Sequence, residues 1–219
     1  MRNLICISVM ISLAFISCTQ EDEILYSCDK EINEWVIVNK QSIQQMDRHD
    51  LLQMDKSTMR AAYRAFSKEQ KIAFWISSVN DALELNWSNE EREHILKVKL
   101  FINSHTHFFD NRELTTDKLD ELESFFYLWL VYAKENFGWT NDIGIAIAGT
   151  GYQLNNTKGV IEPGISDDLI VSDCECNDSA LSDFCPVNSS CDGGVTCIKD
   201  SEGCGWLRKQ KCNGMCGPK

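Results

Sequence analysis

Eight of the chain's eleven cysteines lie in its last fifth, and this clustering restricts what residues 174–219 can fold into. A segment this short cannot bury enough apolar surface to be stable, so it needs covalent cross-links or a metal. Because the number of cysteines is even, the sequence predicts a disulfide-rich module, whose connectivity the spacing does not reveal. The eight are Cys174, Cys176, Cys185, Cys191, Cys197, Cys204, Cys212 and Cys216.

Metal binding is the competing interpretation of these cysteines. Zinc ribbons use paired CxxC ligands, whereas residues 174–219 contain no CxxC pair and no histidine. Thiol redox enzymes also place CxxC at the start of a helix. We therefore expect no metal and no cofactor, with a thiolate cluster as the alternative.

The first segment, MRNLICISVMISLAFISC, indicates export. Arg2 precedes an apolar run, Leu4–Ile16, that is too short to span a bilayer and is typical of a secretory signal. Ser17 directly before Cys18 resembles the lipobox of bacterial lipoproteins, which implies a signal peptide over 1–17 and an acylated Cys18. An ordinary signal peptide with an incidental cysteine is the alternative.

Residues 18–27 form an acidic tether behind the lipidated cysteine. The acidic residues at 21–23 resemble a surface-export signal of some Gram-negative lipoproteins, although a plain solvated tether fits equally. The expected location is the outer membrane, by a lipid anchor, with the tail either retained at the cell surface or released to the medium. No later apolar run is long enough to cross a membrane.

Residues 28–140 have helical periodicity and predict a small helical bundle, so the fold class is mainly α. Shorter helices are expected over 30–40 and 56–66. The clearest apolar face has the i, i+3, i+4, i+7 spacing of an amphipathic helix. Its members are Ile72, Trp75, Ile76, Val79 and Leu83.

Local capping signals predict where the long helices begin and end. Ser67 with Gln70, and Ser88 with Glu91, read as capping boxes, in which each side chain bonds the other residue's backbone N–H. The last long helix should follow Thr116 and stop near Gly138.

Residues 141–173 change character and are expected to be a flexible, exposed linker. Glycines recur here and should interrupt any helix. Two apolar pieces, Ile143–Ala148 and Leu169–Val171, are expected to pair as edge strands. The linker is either a hinge only or a proteolytic processing site.

Catalytic and nucleic-acid functions find no support. No GxSxG, HExxH, P-loop or dinucleotide fingerprint is present. His105 and His107 are two residues apart, so on a regular helix they point in opposite directions and cannot share a metal ion. The net charge of −12 disfavours phosphate backbones. We expect no enzyme and no nucleic-acid partner.

The tail contains, in this order, CEC, DFCP, singly spaced cysteines, GCGW and CNG. The residues are Cys174, Cys176, Asp183, Phe184, Cys185, Pro186, Cys191, Cys197, Gly203, Cys204, Gly205, Trp206, Cys212, Asn213 and Gly214. In these residues the tail is similar to the bacteriocins of the fulvocin C-related family. A weaker resemblance to the same family lies in Tyr63–Ser67 and Asn86–Ser88 of the helical region. The resemblance covers about a fifth of the chain and implies a lipoprotein-like precursor with a helical region before a bridged antibacterial tail. One departure is the last cysteine, Cys216, which follows the Asn-Gly turn.

The tail also contains a short apolar and basic segment. Trp206 and Leu207 stand beside Arg208, Lys209 and Lys211, a composition that suits an anionic membrane surface. This predicts contact with a target-cell membrane or a surface receptor. Ordinary solvated surface is the alternative.

Two other functions give the three basic residues no special role and treat them as ordinary surface of an acidic chain. The protein could instead be a non-toxic surface lipoprotein whose tail binds a partner, or one whose helical region protects the producing cell from the tail. Cys28 has no evident partner, and it is either a free thiol or an intermolecular bridge.

Overall fold

The computed structural model describes residues 26–27, 29–110, 114–162, 174, 176–182, 184–185, 189–195 and 200–218. The expectations for Cys18, Cys28 and Cys197, and for 163–173, lie outside these residues.

The described chain is mainly α, as the sequence predicts, and ends in a disulfide-rich region of short strands. The helices are α1 (Lys30–Val38), α2 (Lys40–Ile43), α3 (Arg48–Leu51), α4 (Lys56–Ala65), α5 (Lys68–Leu83), α6 (Asn89–Ser104), α7 (Thr116–Phe137) and α8 (Asn141–Ile145). A 3₁₀ turn covers Thr106–Phe109, and a π-helical turn, Ala146–Thr150, continues α8. We call residues 26–162 the body.

The predicted starts of α5 and α6 and the predicted end of α7 are confirmed, whereas α7 begins at Thr116, one residue earlier than expected. Ser67 Oγ accepts a hydrogen bond from the Gln70 backbone N–H, while the Gln70 side chain accepts from the Ser67 N–H. Ser88 and Glu91 form the same reciprocal pair at the start of α6. Gly138 ends α7 in the left-handed conformation, with φ 69°, where a glycine costs least.

The core of the body lies where α4, α5, α6 and α7 converge, and it is rich in aromatic rings. Trp75 on α5 is fully buried, and its indole Nε1–H donates to the Tyr63 hydroxyl at 2.7 Å. Phe74 packs edge-on against both rings. Satisfying the indole N–H inside the core avoids the cost of a buried unpaired donor.

The strands form three antiparallel two-stranded sheets among the described residues. Their bounds are β1 (Gln153–Leu154) with β2 (Val160–Ile161), β3 (Ser189–Asp192) with β6 (Met215–Pro218), and β4 (Asp200–Cys204) with β5 (Gln210–Cys212). The register places Cys191 opposite Cys216 and Cys204 opposite Gln210.

The prediction of a flexible, exposed linker is wrong for residues 143–152. Residues 143–148 are helical and buried in the body's core, so they are not an edge strand. Gly144 allows the helix to lie close to α7, because a Cβ there would fall within 2.6 Å of the Leu130 side chain. The glycines of this segment therefore mark close packing as well as turns.

The core also crosses the predicted boundary at residue 174. Trp206 and Leu207 belong to the same buried cluster as Phe126 and Trp129 of α7. The tail is thus disulfide-rich, as expected, but its largest apolar side chains are buried by the body and not within a core of its own.

Candidate functional site

Disulfides define the tail. Three bridges lie between described residues, and they are Cys176–Cys191, Cys185–Cys216 and Cys204–Cys212. Cys174 is also disulfide-bonded. The expectation of disulfides is confirmed for these seven cysteines.

Two of the bridges are adjacent because β3 and β6 align their cysteines. The Sγ atoms of Cys176, Cys185 and Cys216 all lie within 4.8 Å of one another. Since each of these sulfurs is in a disulfide, none is a thiolate ligand, and this convergence gives no support to a zinc site in the oxidised protein.

The 3₁₀ turn Trp206–Arg208 docks the tail onto the body. The Trp206 ring stacks on Phe126, with centroids 5.0 Å apart and planes 16° apart. Trp129 meets it edge-on at 6.4 Å, and Phe184 of the tail does so at 4.9 Å. Trp206 and Leu207 are fully buried, which contributes about 1.5–3 kcal/mol for a large apolar side chain.

Two of the three basic side chains of this segment are buried with it. The Arg208 Nη2 donates to the Thr150 carbonyl oxygen at 2.9 Å, and its guanidinium carbon lies 5.5 Å from the Tyr63 ring centroid. Burial lowers the pKa of Arg208. Lys209 is also buried, whereas Lys211 is exposed.

Four of the five residues of the predicted membrane-contact segment are therefore buried in this structure, and Lys211 is exposed. The physical reason is that Trp206 and Leu207 pack into an apolar site between α7 and the π-helical turn. Arg208 and Lys209 are buried with them because they follow directly in the sequence. The buried Arg208 guanidinium is stabilised by its hydrogen bond to the Thr150 carbonyl oxygen and by a cation–π contact with the Tyr63 ring.

The docked turn has an uncommon backbone. Leu207 and Arg208 both have positive φ, at 52° and 56°, in a region that costs a non-glycine residue about 1–3 kcal/mol. Gly205 precedes them at φ 69°, and the Cys204–Cys212 bridge closes the loop. The conformation is maintained by docking on one side and by the disulfide on the other.

Arg60 ties the body to the tail from α4. Its Nη2 donates to the Cys174 carbonyl oxygen at 2.9 Å and lies 3.1 Å from Cys212 Sγ. Arg60 is itself buried. Sequence reasoning missed this residue, although its place on the buried face of an amphipathic helix, beside Met59 and Tyr63, was the available signal.

Arg48 supports the surface that receives the tail. It is fully buried, and it donates to the carbonyl oxygens of Gly151, at 2.7 Å, and Tyr152, at 3.1 Å. Its Nη1 also forms an ion pair with Asp81. Burial lowers the pKa of Arg48 even though Asp81 opposes the shift. These bonds fix the chain that follows Thr150, the acceptor for Arg208.

His94 is a further ionisable residue that sequence reasoning missed. Its Nε2 lies 2.9 Å from the Trp129 carbonyl oxygen, and its ring stacks between Trp129 and Tyr132. Burial lowers the pKa of His94. An Nε2–H donor to the Trp129 carbonyl oxygen fits this geometry, and the His94 ring packs beneath the docking surface.

His105 lies at the end of α6, and His107 lies in the 3₁₀ turn that follows it. His105 is the C-terminal cap of α6, with Nδ1 2.9 Å from the Phe101 carbonyl oxygen, and the two imidazole centroids are 5.9 Å apart. Burial lowers the pKa of His107. His105 also lines an open groove between α6 and α7, together with Ser104 and Glu121. Its Nδ1 lies 2.9 Å from Ser104 Oγ, and its Nε2 lies 3.4 Å from Glu121 Oε1.

Comparison with protein-family models, curated proteins and solved structures finds no match to this chain. None of the helices in the described part of the chain is long and apolar enough to cross a membrane.

Proposed function

We propose that the chain is an exported lipoprotein that carries a fulvocin C-like antibacterial tail, which the helical body keeps docked and inactive. Burial of the segment from Trp206 to Lys209 is the observation that carries this proposal. A segment that acts on a membrane needs its apolar and basic side chains at the surface. In the docked chain they are inside the protein.

The resemblance supports the antibacterial activity in the proposal. The docking explains how that activity would be suppressed until the tail separates from the body. An active tail would have to separate Trp206 from Phe126 and Trp129, either after cleavage or on contact with a target. Until then the producing cell meets a protein whose membrane-active segment is covered. The body would thus act as the protective region.

Location follows from the first segment and from the disulfides. Acylation of Cys18 would anchor the chain to the outer membrane, and bridges of this number persist in oxidising compartments. Metabolic labelling with a fatty acid, compared between the wild type and Cys18→Ala, tests the anchor. Label on the wild type alone supports it, and equal labelling contradicts it.

A non-toxic surface lipoprotein is the second candidate, and the shared core favours it. A tail whose Trp206 completes the packing of α7 is also a structural part of one fold. In that case the exposed face of the tail would bind a partner, and separation from the body would unfold it without producing any toxicity.

Cleavage at a chosen position separates the two candidates. A recognition site for a specific protease is placed within residues 163–173, and growth inhibition is measured for the uncut chain, the cut chain and the separated fragments. The proposal expects inhibition only after separation, and its suppression when the body fragment is added back. Protease-treated chain without the inserted site is the control.

The basic segment has its own test in the same assay. Replacing Arg208, Lys209 and Lys211 by Gln should abolish inhibition by the released tail. Full inhibition by the triple variant contradicts the membrane-contact role, and no inhibition by any wild-type preparation contradicts the antibacterial function.

A further inference from the structure

We propose that the Cys204–Cys212 disulfide is a thiol-exchange site that latches the tail to the body, and that Arg60 stabilises the thiolate released when a dithiol opens it. This goes beyond the proposed function and does not depend on any antibacterial activity.

The guanidinium of Arg60 is placed on the sulfurs of this bridge. Its Nη2 lies 3.1 Å from Cys212 Sγ and 3.9 Å from Cys204 Sγ. The same nitrogen donates to the Cys174 carbonyl oxygen at 2.9 Å, which fixes its position. A cation beside a cysteine favours the thiolate, because it stabilises the charged form.

The two sulfurs are not equivalent. Both cysteines are buried, but the Arg60 Nη2 lies 3.1 Å from Cys212 Sγ and 3.9 Å from Cys204 Sγ. In thiol–disulfide exchange the sulfur with the better-stabilised thiolate leaves faster. An incoming thiolate is therefore expected to attack Cys204 and to expel Cys212 toward Arg60.

The reaction uses a dithiol as the reductant. One of its thiolates attacks Cys204 Sγ, the Cys204–Cys212 bond breaks, and Cys212 leaves as a thiolate. The second thiol loses its proton and attacks the mixed disulfide, which releases Cys204 as a thiolate that takes up a proton. The protein bridge gains two electrons, and the dithiol becomes a disulfide.

Opening the bridge would loosen the docked turn. The bridge joins the two ends of the loop that carries Trp206, and that loop contains two non-glycine residues with positive φ. Without the cross-link the chain can relax Leu207 and Arg208 to ordinary backbone angles. Relaxation would withdraw Trp206 from Phe126, so the redox state of one bridge would control docking.

The oxidised full chain, equilibrated in buffers of reduced and oxidised dithiothreitol and then alkylated and mapped by mass spectrometry, provides the test. Arg60→Gln should require a roughly tenfold higher reduced-to-oxidised ratio to open Cys204–Cys212, as expected when a charged hydrogen bond to a thiolate is lost. Arg60→Lys keeps the charge and should stay near the wild type. Cys176–Cys191 and Cys185–Cys216 are internal controls.

Arg92→Gln is the matched arginine control, because its guanidinium bonds the carbonyl oxygens of Leu83 and Leu85 between α5 and α6. Its Cys204–Cys212 midpoint should equal that of the wild type. An equal shift of all three bridges in Arg60→Gln, or no shift of Cys204–Cys212, overturns the role of Arg60.

Two measurements on the wild type keep the proposal testable if Arg60→Gln fails to fold. Glutathione trapping should give the mixed disulfide on Cys204, and trapping on Cys212 contradicts the proposed direction. In chain reduced only at Cys204–Cys212, hydrogen exchange should rise in residues 205–211 and around Phe126. Unchanged exchange there overturns the latch.

Discussion

Trp206 stacks on Phe126 with their ring centroids 5.0 Å apart, so the cysteine-rich tail and the longest described helix share one core. The contact joins residues far apart in sequence and places the tail's apolar turn against α7. It explains why an amphipathic basic segment near the C-terminal end of the chain is not exposed. The stability of the body and the docking of the tail should therefore be coupled.

Removing the Trp206 ring should destabilise the whole protein. Trp206→Ala leaves a cavity between Phe126 and Trp129, and the free energy of unfolding should fall by about 3–5 kcal/mol. Leu128→Ala on the same helix is the control, because Leu128 is 63% exposed and its loss should change stability by less than about 0.5 kcal/mol. Urea unfolding measures both, and equal effects would contradict the docking.

Gly205 should resist substitution because its backbone and its surroundings both require glycine. Its φ is 69°, and a Cβ there would overlap the Gln210 side chain. Gly205→Ala should lower the melting temperature, with a stability loss of at least about 1 kcal/mol. Gly217→Ala meets no atom within 4 Å and should melt like the wild type. A Gly205→Ala protein that melts like Gly217→Ala would be inconsistent with the docked turn.

The buried ion pair beneath the docking surface should be important for folding. Asp81→Asn leaves the Arg48 guanidinium buried without its carboxylate and should cost about 3 kcal/mol, the lower end for a buried pair, since Asp81 is partly exposed. The exposed Lys30–Glu34 pair provides the comparison. Glu34→Gln should cost no more than about 0.5 kcal/mol in the same denaturant titration. Similar losses would argue against a structural role for Arg48.

Stability should depend on pH through His94. Because its pKa is lowered in the folded state, the unfolded chain binds a proton more readily between the two pKa values, and the stabilisation is fully present above about pH 6.5. It should be lost as the pH falls toward the folded pKa. Chemical unfolding between about pH 8 and 5 should show a shallower decline for His94→Gln than for the wild type. Parallel curves would exclude this contribution.

At lower pH, the stability of the fold should also depend on the protonation of Glu91. Burial alone would raise the pKa of Glu91, but hydrogen bonds from Trp139, Ser88 and Lys158 outweigh it and lower the pKa. Its stabilisation is present above the ordinary carboxyl range and should be lost as the pH falls through the folded pKa. Glu91→Gln should therefore weaken the pH dependence below about pH 4.5 and leave the His94 region unchanged.

The local parts of this fold could be predicted, because their causes lie within a few residues. Ser67 and Ser88 reveal helix starts through partners three residues away, and Gly138 reveals a helix end through its own backbone. The buried face around Trp75 follows from helical spacing. The even cysteine count indicated disulfides before any contact was known.

The docking could not be predicted in this way, because it depends on pairs distant in sequence. From the sequence alone, Trp206 fits a membrane anchor and a core residue equally well. Its stacking on Phe126 places it in the core. Arg60 has no distinguishing feature in the sequence, because its partners Cys174 and Cys212 lie far from it along the chain. Gly144 looks like a helix breaker, but its lack of a side chain is what lets α8 approach Leu130.

Hydrogen exchange on the oxidised full chain, with peptides resolved after reduction in the acid quench, tests the shared core most directly. Amides in residues 204–212 and in residues 126–133 of α7 should have similar opening free energies, and Trp206→Ala should lower both together. Rapid exchange of the tail while α7 stays equally protected in both proteins would show that the tail is an independent module and would contradict the account.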